Sequence, residues 1–172
     1  MHRRKKICIV LCITVAVITL LALFQKPIIL SYYKYVHTWH RCADFKAYRN
    51  EFVLVKDYVA TYMGDTNGVL AVSYTGEHRF DLFDYTKSSY LNCPEEIKSA
   101  IGVLCKEAFP DQDTSLDHIR KTGDEISFET ESGPYKLSYC PHKLPVMTGY
   151  TEEETKIRRL GDGWYHVVGQ RE

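Results

Sequence analysis

EISFETESGPYKLSYC, residues 125–140, is the stretch on which the fold turns. Ile126, Phe128 and Thr130 alternate with Ser127, Glu129 and Glu131, the period of two that marks a β-strand. Ser132-Gly133-Pro134 then turns the chain, and Tyr135, Leu137 and Tyr139 share one face of the next strand. A turn this short joins antiparallel neighbours.

The same grammar extends both ways. Upstream, Leu116 to Lys121 leads through Thr122-Gly123-Asp124 into this hairpin. Downstream, a looser stretch from Pro141 to Glu154 holds two prolines, a glycine and the run Glu152-Glu153-Glu154. A last hairpin follows: Lys156 to Leu160, the turn Gly161-Asp162-Gly163, then Trp164 to Val168. Earlier in the chain, Val69 to Tyr74 and Arg79 to Tyr85 read as two strands joined through Thr75-Gly76-Glu77.

Two helices precede or interrupt these strands. No Pro or Gly appears from Tyr35 to Met63, and Phe45, Tyr48, Phe52, Val55, Val59 and Tyr62 recur at steps of three and four. That is one apolar stripe, ended by Gly64-Asp65. Cys93-Pro94-Glu95-Glu96 starts the second helix, because proline suits a first turn and acids complement the N-terminal dipole. Ile97, Ile101, Leu104 and Ala108 form its buried stripe, and Phe109-Pro110 stops it. The expected fold is α+β: a long amphipathic helix and a second helix packed on a mainly antiparallel sheet of about seven short strands.

FETESGPYKLSYCPHKLP (128–145) and KIRRLGDGWYHV (156–167) resemble the endings of uncharacterised membrane-anchored proteins from Gram-positive gut bacteria. The resemblance spans roughly the last 50 residues. It implies a bacterial envelope location and carries no activity and no site residue.

The start of the chain agrees with such a location. Arg3, Arg4, Lys5 and Lys6 precede ICIVLCITVAVITLLALF, residues 7–24, in which only Thr14 and Thr19 interrupt 18 uncharged residues. As a helix this run is about 27 Å long, near the roughly 30 Å of a bilayer core. Basic flanks stay cytoplasmic, so the expectation is a single-pass signal-anchor with the N-terminus inside and the domain outside. The exit, Leu21 to Pro27, offers no small-x-small cleavage pair. The expected organisation is a basic flank (1–6), a transmembrane helix (7–24), a juxtamembrane segment (25–42) and an extracytoplasmic α+β domain (43–172). Tyr32, Tyr33, Tyr35 and Trp39 suit a lipid–water boundary or ordinary packing.

The chain carries 22 basic and 22 acidic residues, and four of the basic ones lie in 1–24. The remainder therefore has 18 basic against 22 acidic residues, a net of −4, which gives no electrostatic reason to bind nucleic acid. Thirteen tyrosines suit either an adaptable interface or strand packing.

Cys42, Cys93, Cys105 and Cys140 lie beyond the apolar run. Cys93 and Cys105 at opposite ends of one helix stand about 18 Å apart, beyond the roughly 7 Å reach of a bridge. Cys42 and Cys140 would then pair with one or the other, or all four remain thiols.

Chemical motifs are sparse. His37 and His40 with Cys42 have metal-binding side chains but fall short of four ligands on one helix face. Asp111-Gln112-Asp113-Thr114-Ser115 opens like a calcium loop, but Leu116 and Thr122 replace the glycine and the bidentate acid. Asp81 and Asp84, three apart on a strand, point to opposite faces. No catalytic, cofactor-binding or metal residue is assigned. The expected function is a non-enzymatic binding or assembly domain, with the bilayer and an envelope protein as partners. The alternative is a small envelope enzyme using Cys140, His142 or His166.

Overall fold

The computed structural model describes residues 42–76, 79–109, 116–130 and 135–170, together with Trp39. The basic flank 1–6, the apolar run 7–24, most of the segment 25–42 with His37 and His40, the acidic loop 111–115 and the turn 132–134 lie outside the described residues. Among the described residues no helix is long and apolar enough to cross a membrane. Residues Arg41–Glu172 form one unit by their internal contacts.

Helix α1 spans Arg49–Met63 and buries Phe52, Val55, Val59 and Met63, at steps of three and four. It begins later than the run free of Pro and Gly. The Asp44 carboxylate accepts the Ala47 N–H at 3.1 Å, which turns the chain locally before Tyr48 enters the helix. Phe45, in that turn, is buried all the same. The helix ends at Gly64, whose φ of +52° disfavours any side chain; its N–H bonds the Ala60 carbonyl at 3.0 Å.

Strands β1 (Gly68–Gly76), β2 (Arg79–Asp84) and β3 (Ser89–Tyr90) follow. Helix α2 (Glu95–Val103) is capped by Pro94, so Cys93 stands just outside it. It runs on into a π-helical turn, Leu104–Ala108. The wider turn keeps Leu104 and Ala108 on the same buried side as Ile97 and Ile101. Then come β4 (Leu116–Thr122), β5 (Glu125–Thr130), β6 (Tyr135–Tyr139), β7 (Thr155–Gly161) and β8 (Trp164–Gly169).

All eight strands join one sheet in the order β3-β2-β1-β4-β5-β6-β8-β7, every pairing antiparallel. The expected count of about seven is corrected to eight. The added strand is β3, a two-residue edge too short to show any periodicity.

The register sorts side chains onto two faces. Phe128 opposes Leu137, which opposes His166; Tyr139 opposes Trp164. These residues share the helix-bearing face. Phe52 from α1 meets the Phe128 ring at 5.1 Å, edge to face, and the Trp164 ring at 6.2 Å; Phe45 meets Trp164 at 4.8 Å. Each such aromatic side chain contributes on the order of 2–3 kcal/mol by burial alone. Ile119, Leu70 and Leu82 continue this apolar layer across β4, β1 and β2.

The opposite face is different. Ser127 opposes Ser138, Glu129 opposes Lys136, and Tyr165 and Val167 continue the rows. Cys140, Tyr165 and Val167 form a second small apolar cluster, against which Met147 packs. Residue 147 belongs to the connection 140–154, so that stretch covers part of this face. Tyr150 closes the cover: a Cβ added at Gly169 would fall 2.6 Å from its ring.

Candidate functional site

The polar rows of β5 and β6 build the site. Glu125 is buried, and its Oε1 accepts from Lys136 Nζ at 2.6 Å and from the Ser138 hydroxyl at 2.9 Å. Four residues along the strand, Glu129 takes Arg120 from β4 through Nε at 3.0 Å and a terminal nitrogen at 3.2 Å, and accepts the Ser127 hydroxyl at 2.8 Å. Planar guanidinium and carboxylate suit this forked pairing.

Beside Lys136 and the Arg120–Glu129 pair is a cavity of about 130 Å³ lined by Arg120, Glu129, Thr130, Tyr135, Lys136, Met147 and Thr148. Thr130 is buried and its Oγ1 makes no hydrogen bond. An orphaned hydroxyl of this kind is uncommon, because leaving it unsatisfied costs about 1–3 kcal/mol. The lining therefore sets the cations of Arg120 and Lys136 beside the Glu129 carboxylate.

The groups singled out for catalysis do not assemble here. Cys140 is buried beside Tyr165 and Val167, and burial pushes its thiol up, with Glu125 adding to the shift. His142 is exposed. His166 lies on the other face of the sheet, where its Nδ1 and the Tyr135 hydroxyl are 2.9 Å apart. Burial and the nearby Arg158 guanidinium lower His166 to about 4, so the ring stays neutral. The Tyr135 hydroxyl also accepts the Ala43 N–H at 3.0 Å, and Cys42 adjoins it. Burial pushes the Cys42 thiol up to about 12, against the pull of Arg158 and Tyr135. This buried His–Tyr–Cys group fastens the segment before α1 to the sheet.

Among the described residues no disulfide forms: Cys42, Cys93, Cys105 and Cys140 are thiols. Their neighbours differ. Cys93 faces Tyr58, and Cys105 faces the Leu116 carbonyl at 3.9 Å. Of the two alternatives open in the sequence, the reduced one is the state of this structure. Also among the described residues, no three His, Cys, Asp or Glu side chains gather closely enough to hold a metal ion. Asp84 is committed elsewhere, accepting the Tyr62 hydroxyl at 2.7 Å and the Thr86 N–H at 2.8 Å.

The tyrosines divide. Tyr135 and Tyr165 are buried, whereas Tyr74, Tyr85 and Tyr90 are more than half exposed. The paired charges of Glu125, Lys136, Arg120 and Glu129 escaped sequence reading. Their signal lies in the hairpin register, which sets Glu129 against Lys136 and Ser127 against Ser138. No known protein-family model, curated protein or solved structure matches this chain.

Proposed function

We propose that this protein is a non-enzymatic binding or assembly domain held at the outer face of a bacterial cell membrane by an uncleaved helix over residues 7–24. The N-terminus is cytoplasmic, and the partner is another envelope protein. The run of 18 uncharged residues behind Arg3-Arg4-Lys5-Lys6 supports the location, as does the resemblance of the last 50 residues.

One observation favours binding over catalysis: Cys140 and His166 sit on opposite faces of the sheet. The thiol is raised by burial and the imidazole is lowered to about 4. A nucleophile needs its base within hydrogen-bond reach, and His166 spends its Nδ1 on Tyr135.

The test has two arms. Carbonate-washed membranes should retain the protein, and protease added to intact protoplasts should digest residues beyond about 27; a soluble protein shortened at its N-terminus would refute the anchor. Cross-linking in intact cells, followed by detergent extraction, should recover a covalent protein adduct. Turnover of a cell-wall or peptide substrate, lost in Cys140→Ala, would overturn the non-enzymatic reading.

A further inference from the structure

We infer that the covering stretch 141–150 is a lid that lifts off the sheet as one unit while the strands beneath it stay paired. Its two ends are pinned. At one end the Cys140 N–H bonds the Gly163 carbonyl at 2.7 Å. At the other, Thr151 and Glu154 cap each other: the Thr151 N–H donates to the Glu154 carboxylate at 2.8 Å, and the Glu154 N–H to the Thr151 hydroxyl at 3.3 Å. The Gln170 N–H, just past β8, holds the Glu154 carbonyl at 2.7 Å.

Between these ends the backbone holds almost nothing. Among the described residues, 141–148 make no hydrogen bond or ion pair to any strand. The Lys143 N–H donates to the Cys140 thiol, and the Met147 carbonyl accepts the Tyr150 N–H within the lid itself, at 3.3 Å. Three side chains hold it shut. Pro145 is buried, Met147 packs on Cys140, Tyr165 and Val167, and the Tyr150 ring lies against Gly169. The apolar side chains of Leu144 and Val146 are exposed and add nothing to closure.

A segment with few buried contacts and few backbone bonds opens at a lower free energy than the whole domain unfolds. Gly149, at a φ of +81°, gives the lid a backbone position free of side-chain strain beside its second pinned end. Strands β6, β8 and β7 beneath it are laddered along their length and have no such weakness. Opening takes Met147 and Thr148 from the wall of the Lys136 cavity and bares Cys140, Tyr165 and Val167. A surface covered in the closed state thus becomes available without loss of the sheet. Neither the anchor nor the partner proposed above enters this opening.

Cys140 reports the opening, because it is 1% exposed and Met147 packs on its cluster. The full chain in detergent micelles is treated with N-ethylmaleimide at several urea concentrations below the unfolding transition. Peptide mass spectrometry reads Cys140 labelling, and Trp164 fluorescence gives the global transition. Lid opening exposes little surface, so the Cys140 rate should be nearly flat in urea. Met147→Ala removes one of the three holding side chains and should speed labelling by roughly tenfold. Gly169→Ala drives a Cβ at the Tyr150 ring and should speed it too. Ile119→Val lies in the core on the other face and weakens contacts that the closed and open states share. It should lower the fluorescence midpoint and leave Cys140 labelling unchanged. A Cys140 rate that climbs with urea as steeply as global unfolding, or that rises in Ile119→Val, places 141–150 in one cooperative unit with the sheet and overturns the lid. An unchanged rate in Met147→Ala overturns it as well.

Discussion

Lys136→Met tests the buried ion pair by removing its cation. Lys136 and Glu125 side chains are only 8% and 10% exposed, with 2.6 Å between them. Removing the ammonium leaves the Glu125 carboxylate buried with one donor, the Ser138 hydroxyl at 2.9 Å. Breaking a buried pair from one side costs about 3–5 kcal/mol. The surviving Ser138 bond and the methionine's similar volume place the expected loss near the lower end, about 3 kcal/mol. With a denaturant slope of about 1.5 kcal/mol per molar urea, the midpoint should fall by about 2 M. Trp164, fully packed in the core, reports the transition by fluorescence. The double variant Lys136→Met with Glu125→Met removes both charges and should recover most of the loss. A single variant costing less than about 1 kcal/mol, or a double variant as unstable as the single one, would show that the pair is solvated rather than buried.

Three further outcomes follow from geometry. His166 is lowered to about 4 from an ordinary 6.5, so the unfolded chain binds its proton first; stability should fall by about 3 kcal/mol as pH drops from 6.5 to 4, and His166→Gln should flatten that slope in urea midpoints taken across the range. Gly169→Ala drives a Cβ to within 2.6 Å of the Tyr150 ring and should cost about 1–3 kcal/mol, most of it relieved by adding Tyr150→Ala, as read by thermal melts. Cys42 and Cys105 are both pushed up to about 12 by burial, so alkylation at pH 8 should be about a thousandfold slower in the folded chain than in urea, as mass spectrometry of the adducts would measure.

Much of the fold was legible because its signals are local. The stripe ending at Gly64 recovers α1, since a positive φ there needs no distant partner. The alternation in 125–140 recovers β5 and β6. The start of α1 was misread because Asp44 turns the chain through a side-chain bond to Ala47, and no Pro or Gly marks that site. Strand β3 escaped because two residues have no period. The polar site was hidden for another reason. Lys136 reaches Glu125 across Ser138 only once β5 and β6 pair in one register, and Met147 covers them from a stretch that reads as a loop.

The position of β8 constrains how the molecule is made. It is the eighth strand in the chain yet lies inside the sheet, between β6 and β7. Synthesis therefore delivers β7 before the strand it must hydrogen-bond to, and β7 waits unpaired until residues 164–169 emerge. Those residues also bring Trp164 to the aromatic core and His166 to Tyr135. A nascent chain stalled before residue 164 would have a gap where an interior strand belongs, not a missing edge, with two neighbouring strands exposed. Assembly is thus biosynthetically late: the final step closes the sheet, fills the core and ties down the segment before α1 together.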